Sequence, residues 1–168
     1  MAIWIRREAP SDVATIERVT VEAFRTADHS NRTEQFIIRA LRASGHLAVS
    51  LVAESDGAVV GHAAASPVTL SSGAPGWYGL GPVSVLPARQ RQGIGSRLVR
   101  HVLSALQAAG AAGCVVLGEP HYYARFGFRP EPSLSLPGVP AEYFQALAFR
   151  GTLPAGLVAY HDAFSAQG

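Results

Sequence analysis

The residues best suited to chemistry lie in one stretch, Pro82 to Val99, which reads PVSVLPARQRQGIGSRLV. A Val-rich apolar run passes through Pro87, turns at Gln90–Gly95 and continues in a helical pattern. A strand that ends in a glycine loop and opens a helix presents unpaired amides with partial positive charge, so this junction is expected to hold an anion. Gly93 and Gly95 let the backbone approach that anion with no side chain between them. A dinucleotide fingerprint needs a third glycine where this chain has Leu98, and a P-loop needs a Gly-Lys-Ser/Thr that is absent. On the glycines alone, a tight strand-to-helix turn without a ligand is the competing reading.

The elements that must position this loop can be read on either side of it. Upstream, Ile3–Arg7 alternates as a short strand, and Ser11 or Asp12 marks the start of a helix carrying Val13, Ile16, Val19 and Ala23. A second helix presents Phe36, Ile37, Ala40 and Leu41 on one face, with Asn31 and Glu34 at capping-box spacing, and ends at Gly45. Strands over 47–54 and 58–70 are joined at Asp56-Gly57, a two-residue hairpin signal. In the second of these, Gly61 and Ala63–Ala65 leave room for a close approach. The strand 77–86 then enters the loop. Downstream, Ile94, Leu98, Val102 and Leu106 give a helix over 94–109 one apolar face. Cys114–Leu117 reads as a short buried parallel strand. A turn and short helix follow to Gly127, then a proline-rich loop over 130–140 and two final strands over 143–149 and 157–160. The strand–helix–strand unit from 77 to 117 is a right-handed crossover, and it leaves a crevice at the carboxyl ends of its strands, where the loop also lies. The pattern predicts one α+β domain over residues 1–168, with a mixed, mostly antiparallel sheet of about seven strands and one parallel β-α-β crossover.

Composition narrows the classes. The 168 residues suit one domain with a real core, nearly half of them are apolar and the net charge is only +2. All fourteen basic residues are Arg, scattered among twelve acids, so no basic patch points to nucleic acid. Cys114, the single cysteine, sits in an apolar run and reads as core, consistent with a reducing compartment. No apolar run approaches a membrane span, and the N-terminal residues do not form a signal peptide, so a soluble cytoplasmic protein is expected. The six His residues lack metal-site spacing, and no metal is expected.

The Q-x-x-G-x-G spacing of Gln90–Gly95 follows a V-x-V-x-P run, and a second motif, Tyr122-Tyr123-Ala124-Arg125-Phe126-Gly127-Phe128, comes after the crossover. Together they resemble the GNAT superfamily of acetyl-CoA-dependent N-acetyltransferases, and within it a bacterial group whose substrates are undefined. The resemblance runs over nearly the whole chain and implies the three-layer GNAT fold. It implies that the backbone of Gln90, Arg91, Gln92, Gly93, Ile94, Gly95 and Ser96 cradles the diphosphate of acetyl-CoA. It implies that the backbone of Val83, Ser84 and Val85 pairs with the pantetheine arm, with the Val83 amide facing the thioester carbonyl as an oxyanion donor. Tyr123 falls at the tyrosine that, in many relatives, protonates the leaving thiolate. Arg89 and Arg91 either add charge near the phosphates or lie solvated on the surface. The family often forms homodimers, and the resemblance carries that expectation here.

The acceptor implied is an amine, on a small molecule or on a peptide or protein, attacking the thioester directly. An ammonium of pKa about 10.4 must first lose a proton. Glu119, just past the 114–117 strand, is the first candidate for the base, and a helix-start acid is the equal alternative. His62 and His121 are reserves, and Glu34 is better explained as a capping partner. The competing functional class is a non-catalytic acyl-CoA-binding or sensing domain. Tyr123 discriminates the two, because a pure binder has no need of a phenol at the sulfur.

Overall fold

The computed structural model describes residues 2–28 and 30–168. Its elements in order are β1 (Ile3–Arg7), α1 (Val13–Phe24), α2 (Glu34–Ser44), β2 (Val49–Ser55), β3 (Ala58–Pro67), β4 (Thr69–Leu70), β5 (Trp77–Val85), α3 (Ile94–Ala108), β6 (Gly113–Leu117), α4 (Pro120–Ala124), β7 (Leu134–Ser135), β8 (Phe144–Ala148) and β9 (Gly156–Ala159). The main sheet has six strands in the order β1-β2-β3-β5-β6-β8, and β4, β9 and β7 form a separate small sheet. All main-sheet pairs are antiparallel except β5–β6. The strand expected over 58–70 therefore divides. Past Pro67 the Val68 amide still donates to the Trp77 carbonyl at 3.0 Å, and Thr69–Leu70 then pairs with β9 in the small sheet.

The sheet lies between helical layers. On one face α3 buries Ile94, Leu98, Val99, Val102 and Leu106 against Leu51, Ala63 and Leu80 of the strands. Gly61 is what lets α3 come close: a Cβ there would lie 3.1 Å from Leu98 Cδ1 and 3.3 Å from Ile94 Cγ2. On the other face α1 and α2 bury Ile16, Val19 and Ile38 against Val52 and Val59. The β2–β3 hairpin turns through Asp56 and Gly57, both with positive φ, as a two-residue turn of that composition requires.

The capping prediction at α2 is corrected. Thr33, not Asn31, precedes the first helical turn, and no side chain caps it. Glu34 is held instead by the Ser30 hydroxyl, which lies 2.8 Å from each carboxylate oxygen. Asp12 does precede α1, but its carboxylate is turned back onto the Ala9 amide at 2.6 Å and onto Arg6.

Candidate active site

The centre of the site is the end of β5. Beside β6 it pairs only through Trp77–Gly113, Tyr78–Cys114 and Gly79–Val115. Past Gly79 the two parallel strands part, and an extra residue on β5 near Gly81–Pro82 shifts its register against β3. On the β3 side the Leu86 amide donates to the Val60 carbonyl at 2.9 Å. Opposed residues alternate between bonded and non-bonded pairs in an antiparallel ladder, so His62–Ser84 is the next bonded pair, and Gly61–Val85 and Ala63–Val83 are non-bonded. The N–H and C=O groups of Val83 and Val85 thus point away from β3 into the splay. The Val85 carbonyl already accepts there from Gln90 Nε2 at 3.1 Å. Ser84 differs from its neighbours: its backbone faces His62, so it spaces the two Val residues.

The loop then delivers α3 with its N-terminus open. Arg91 and Gly93 both take positive φ, at 64° and 80°. No side chain caps α3, and the first bond into the helix runs from the Arg97 amide to the Gly93 carbonyl at 3.1 Å. The amides of Ile94, Gly95 and Ser96 precede that bond and have no intrahelical acceptor. They border a cavity of about 330 Å³ lined also by Arg89, Arg91, Tyr122 and Arg125. A Cβ on Gly93 would meet nothing within 4 Å, so any side chain there would project into open space at the helix mouth. Arg89 bonds Gln92 and Ser55, so it braces the loop. Arg125 stacks over the Tyr122 ring, 4.5 Å from its centroid, and Tyr122 reaches the Ser96 hydroxyl at 3.2 Å. An uncapped helix end, two αL residues and arginines at its rim suit a polyanion such as a diphosphate.

A second cavity, of about 550 Å³, opens on the other side of the β5 end, and Val83 and Tyr123 line it together. Tyr123 stands on α4 because Gly118 leaves it room: a Cβ at 118 would lie 2.4 Å from the Tyr123 ring. Tyr122 and Phe128 pack edge-on against it. Burial, with smaller contributions from Tyr122 and Cys114, pushes its pKa up to about 12, so the phenol stays protonated.

The other sequence candidates separate. Glu119 precedes the first turn of α4 without capping it, is exposed and lines neither of these two cavities. His121 is likewise exposed and lines neither of the two. His62 is fully buried, its Nε2 lying 2.8 Å from Ser50 Oγ, and it borders neither. Burial pushes it down to about 4, with Glu8 pulling up and Arg42 pushing down, so it is a neutral core histidine near pH 7. Glu34, read from sequence as a cap, lines the second cavity with Val83 and Tyr123. The capping spacing that the sequence offers is not used, and the place of Glu34 is seen only where α1, α2 and the end of β5 surround one cavity. Arg125 is the other residue the sequence does not single out. Its signal is its position within the Tyr122–Phe128 motif. Among the described residues no group of His, Cys, Asp and Glu is arranged to hold a metal, and no helix is long and apolar enough to cross a membrane.

The model of the Acetyltransferase (GNAT) family matches residues 11–128. The curated Escherichia coli K12 protein described as uncharacterized N-acetyltransferase YhbS is 32% identical, over 96% of this chain and 98% of its own length. A crystal structure of a GNAT family acetyltransferase from Brucella melitensis in complex with acetyl-CoA superposes with TM-score 0.87 at 52% identity, covering 97% of this chain and 98% of that one. The crystal structure of YhbS from Escherichia coli in complex with CoA gives TM-score 0.87 at 33% identity, covering 99% and 93%.

Proposed function

The chain belongs to the GNAT acetyltransferase family and is an N-acetyltransferase of that family, and we propose that it moves the acetyl group of acetyl-CoA to a primary amine by direct attack on the thioester, within one domain. The observation that carries this reading is that two cavities are lined by successive residues of β5, one by Leu80–Val83 and the other by Val85. The cavity at Val85 offers open helix amides and arginines, the other a half-buried phenol, and the Val83–Val85 backbone, its Val85 carbonyl held by Gln90, runs from one lining to the other. The acetyl-CoA complex of the Brucella melitensis relative supports the choice of donor.

Acetyl-CoA supplies an activated acyl carbon and a thiolate leaving group. The amides of Ile94, Gly95 and Ser96, with Arg91 and Arg125, bind the diphosphate, and Gln90, Gln92 and Gly93 shape the loop around it. Val83 and Val85 hydrogen-bond the pantetheine arm as an added strand would. The Val83 N–H faces the oxygen on which negative charge grows as the amine attacks, a contribution typically worth about 3 kcal/mol. Tyr123 donates its hydrogen bond to the departing sulfur. A phenol near 12 transfers its proton to a free thiolate near 8.5 only uphill, so the proton passes on as the attacking nitrogen gives up its own. The base is the carboxylate that lines this cavity, Glu34, in place of the exposed Glu119.

The test is thiol release from acetyl-CoA against a broad panel of amines, with mass spectrometry of the product. An N-acetylated product with stoichiometric thiol is expected. Donor binding without turnover of any amine would instead favour a sensing domain.

A further inference from the structure

The second cavity constrains which amine can be the acceptor, a constraint that rests on the amine-transfer reading of the same site. Among the described residues that line it, Glu34 is the only charged group, and there is no Arg or His. The body of the cavity is apolar: Phe24, Ile37, Leu136, Pro137 and Phe164 form its walls, and Leu117, 46% exposed, forms an apolar rim. Glu34 takes part in none of the ion pairs among the described residues. Its one hydrogen-bonding partner there, the Ser30 hydroxyl, has a single proton to share between two carboxylate oxygens. Among the described residues, the carboxylate therefore keeps acceptor capacity and a negative charge with no ion-pair partner at the edge of an apolar chamber.

We propose that the acceptor is a primary amine with one ammonium and an apolar body, without an anionic group, its ammonium held and deprotonated by Glu34. A carboxylate or phosphate on the acceptor would enter the chamber without a counter-ion, and a second or third ammonium would leave water for apolar walls. A single ammonium finds its partner in Glu34, and an apolar body finds surface to cover. The step balances. Glu34 takes one proton from the ammonium, the free amine forms the C–N bond, and the C–S bond breaks. The second nitrogen proton reaches the sulfur by way of Tyr123, giving the N-acetyl amide and free thiol, and Glu34 releases its proton to solvent.

The experiment compares three probes on the full chain at saturating acetyl-CoA: 2-phenylethylamine, phenylalanine, which adds a carboxylate, and spermidine, which has several ammoniums and no apolar body. The expected kcat/KM for 2-phenylethylamine exceeds each of the others by about a hundredfold. Glu34→Gln is expected to lower that kcat/KM by about a hundredfold, with donor affinity and melting temperature unchanged, and Glu34→Asp to recover part of it. Equal or better use of phenylalanine or spermidine overturns the acceptor class while leaving amine transfer standing. Full activity in Glu34→Gln overturns the role of Glu34. Turnover of no amine at all, with the donor bound, overturns the transfer reading and this inference with it.

Discussion

Tyr123 and His62 show how burial sets opposite tasks for two titratable side chains. Tyr123 is held protonated in the cavity it lines with Val83, and its proposed task is to donate to the departing thiolate. Tyr123→Phe removes only the hydroxyl, so turnover should fall by about a hundredfold while CoA affinity stays level, as steady-state kinetics and calorimetry would measure. Unchanged turnover with chemistry rate-limiting would remove Tyr123 from the reaction. His62, by contrast, is core, and its effect is on stability. Its pKa lies near 4 in the folded chain against an ordinary 6.5, so the unfolded chain binds the extra proton between those values. Its contribution is full above pH 6.5 and is lost as the pH falls toward 4, by about 3 kcal/mol at most. Denaturant melts across that window should show the loss, and His62→Gln should flatten it. A pH dependence identical in the variant would contradict the buried neutral imidazole.

At the scale of elements, the junction of β5, the loop and α3 does most of the positioning. Gly93 combines two demands: a φ of 80° and an open space where a side chain would stand in the helix mouth. Gly93→Val should cost about 1–2 kcal/mol of stability from backbone strain and weaken CoA binding by about tenfold or more. Affinity that survives with the fold intact would move the phosphates elsewhere. This junction is legible in the sequence because its signals are local: the apolar run, the glycine spacing and the four-residue repeat of Ile94, Leu98, Val102 and Leu106 all lie within one stretch. The division of 58–70 between two sheets is not legible, since which sheet Thr69–Leu70 joins depends on β9, far along the chain. Nor is the alternation that turns Val83 and Val85, but not Ser84, toward the splay. It arises from the register with β3, which spacing alone leaves open. Glu119 looks well placed from its position after β6, yet at the start of α4 it lies exposed. Glu34, explained away by an equally local argument, lines the cavity because α2 faces, across it, a strand some fifty residues away.

Across the whole molecule, the six-stranded sheet with helices on both faces brings two unlike cavities to the two sides of one strand end. The cationic cavity draws on β5, α3 and α4, and the apolar one on α1, α2, β5 and α4 together with the segments around Leu136 and Tyr160. Both lie along β5 past Gly79, where its pairing with β6 ends and the sheet opens. That opening is the proposed donor site, and everything proposed about the acceptor depends on it. Calorimetric titration of the protein with acetyl-CoA tests it most directly. A saturable one-to-one heat is predicted, weakened in Gly93→Val and retained in Tyr123→Phe. No detectable binding up to roughly millimolar acetyl-CoA, an affinity worth only about 4 kcal/mol, would contradict it.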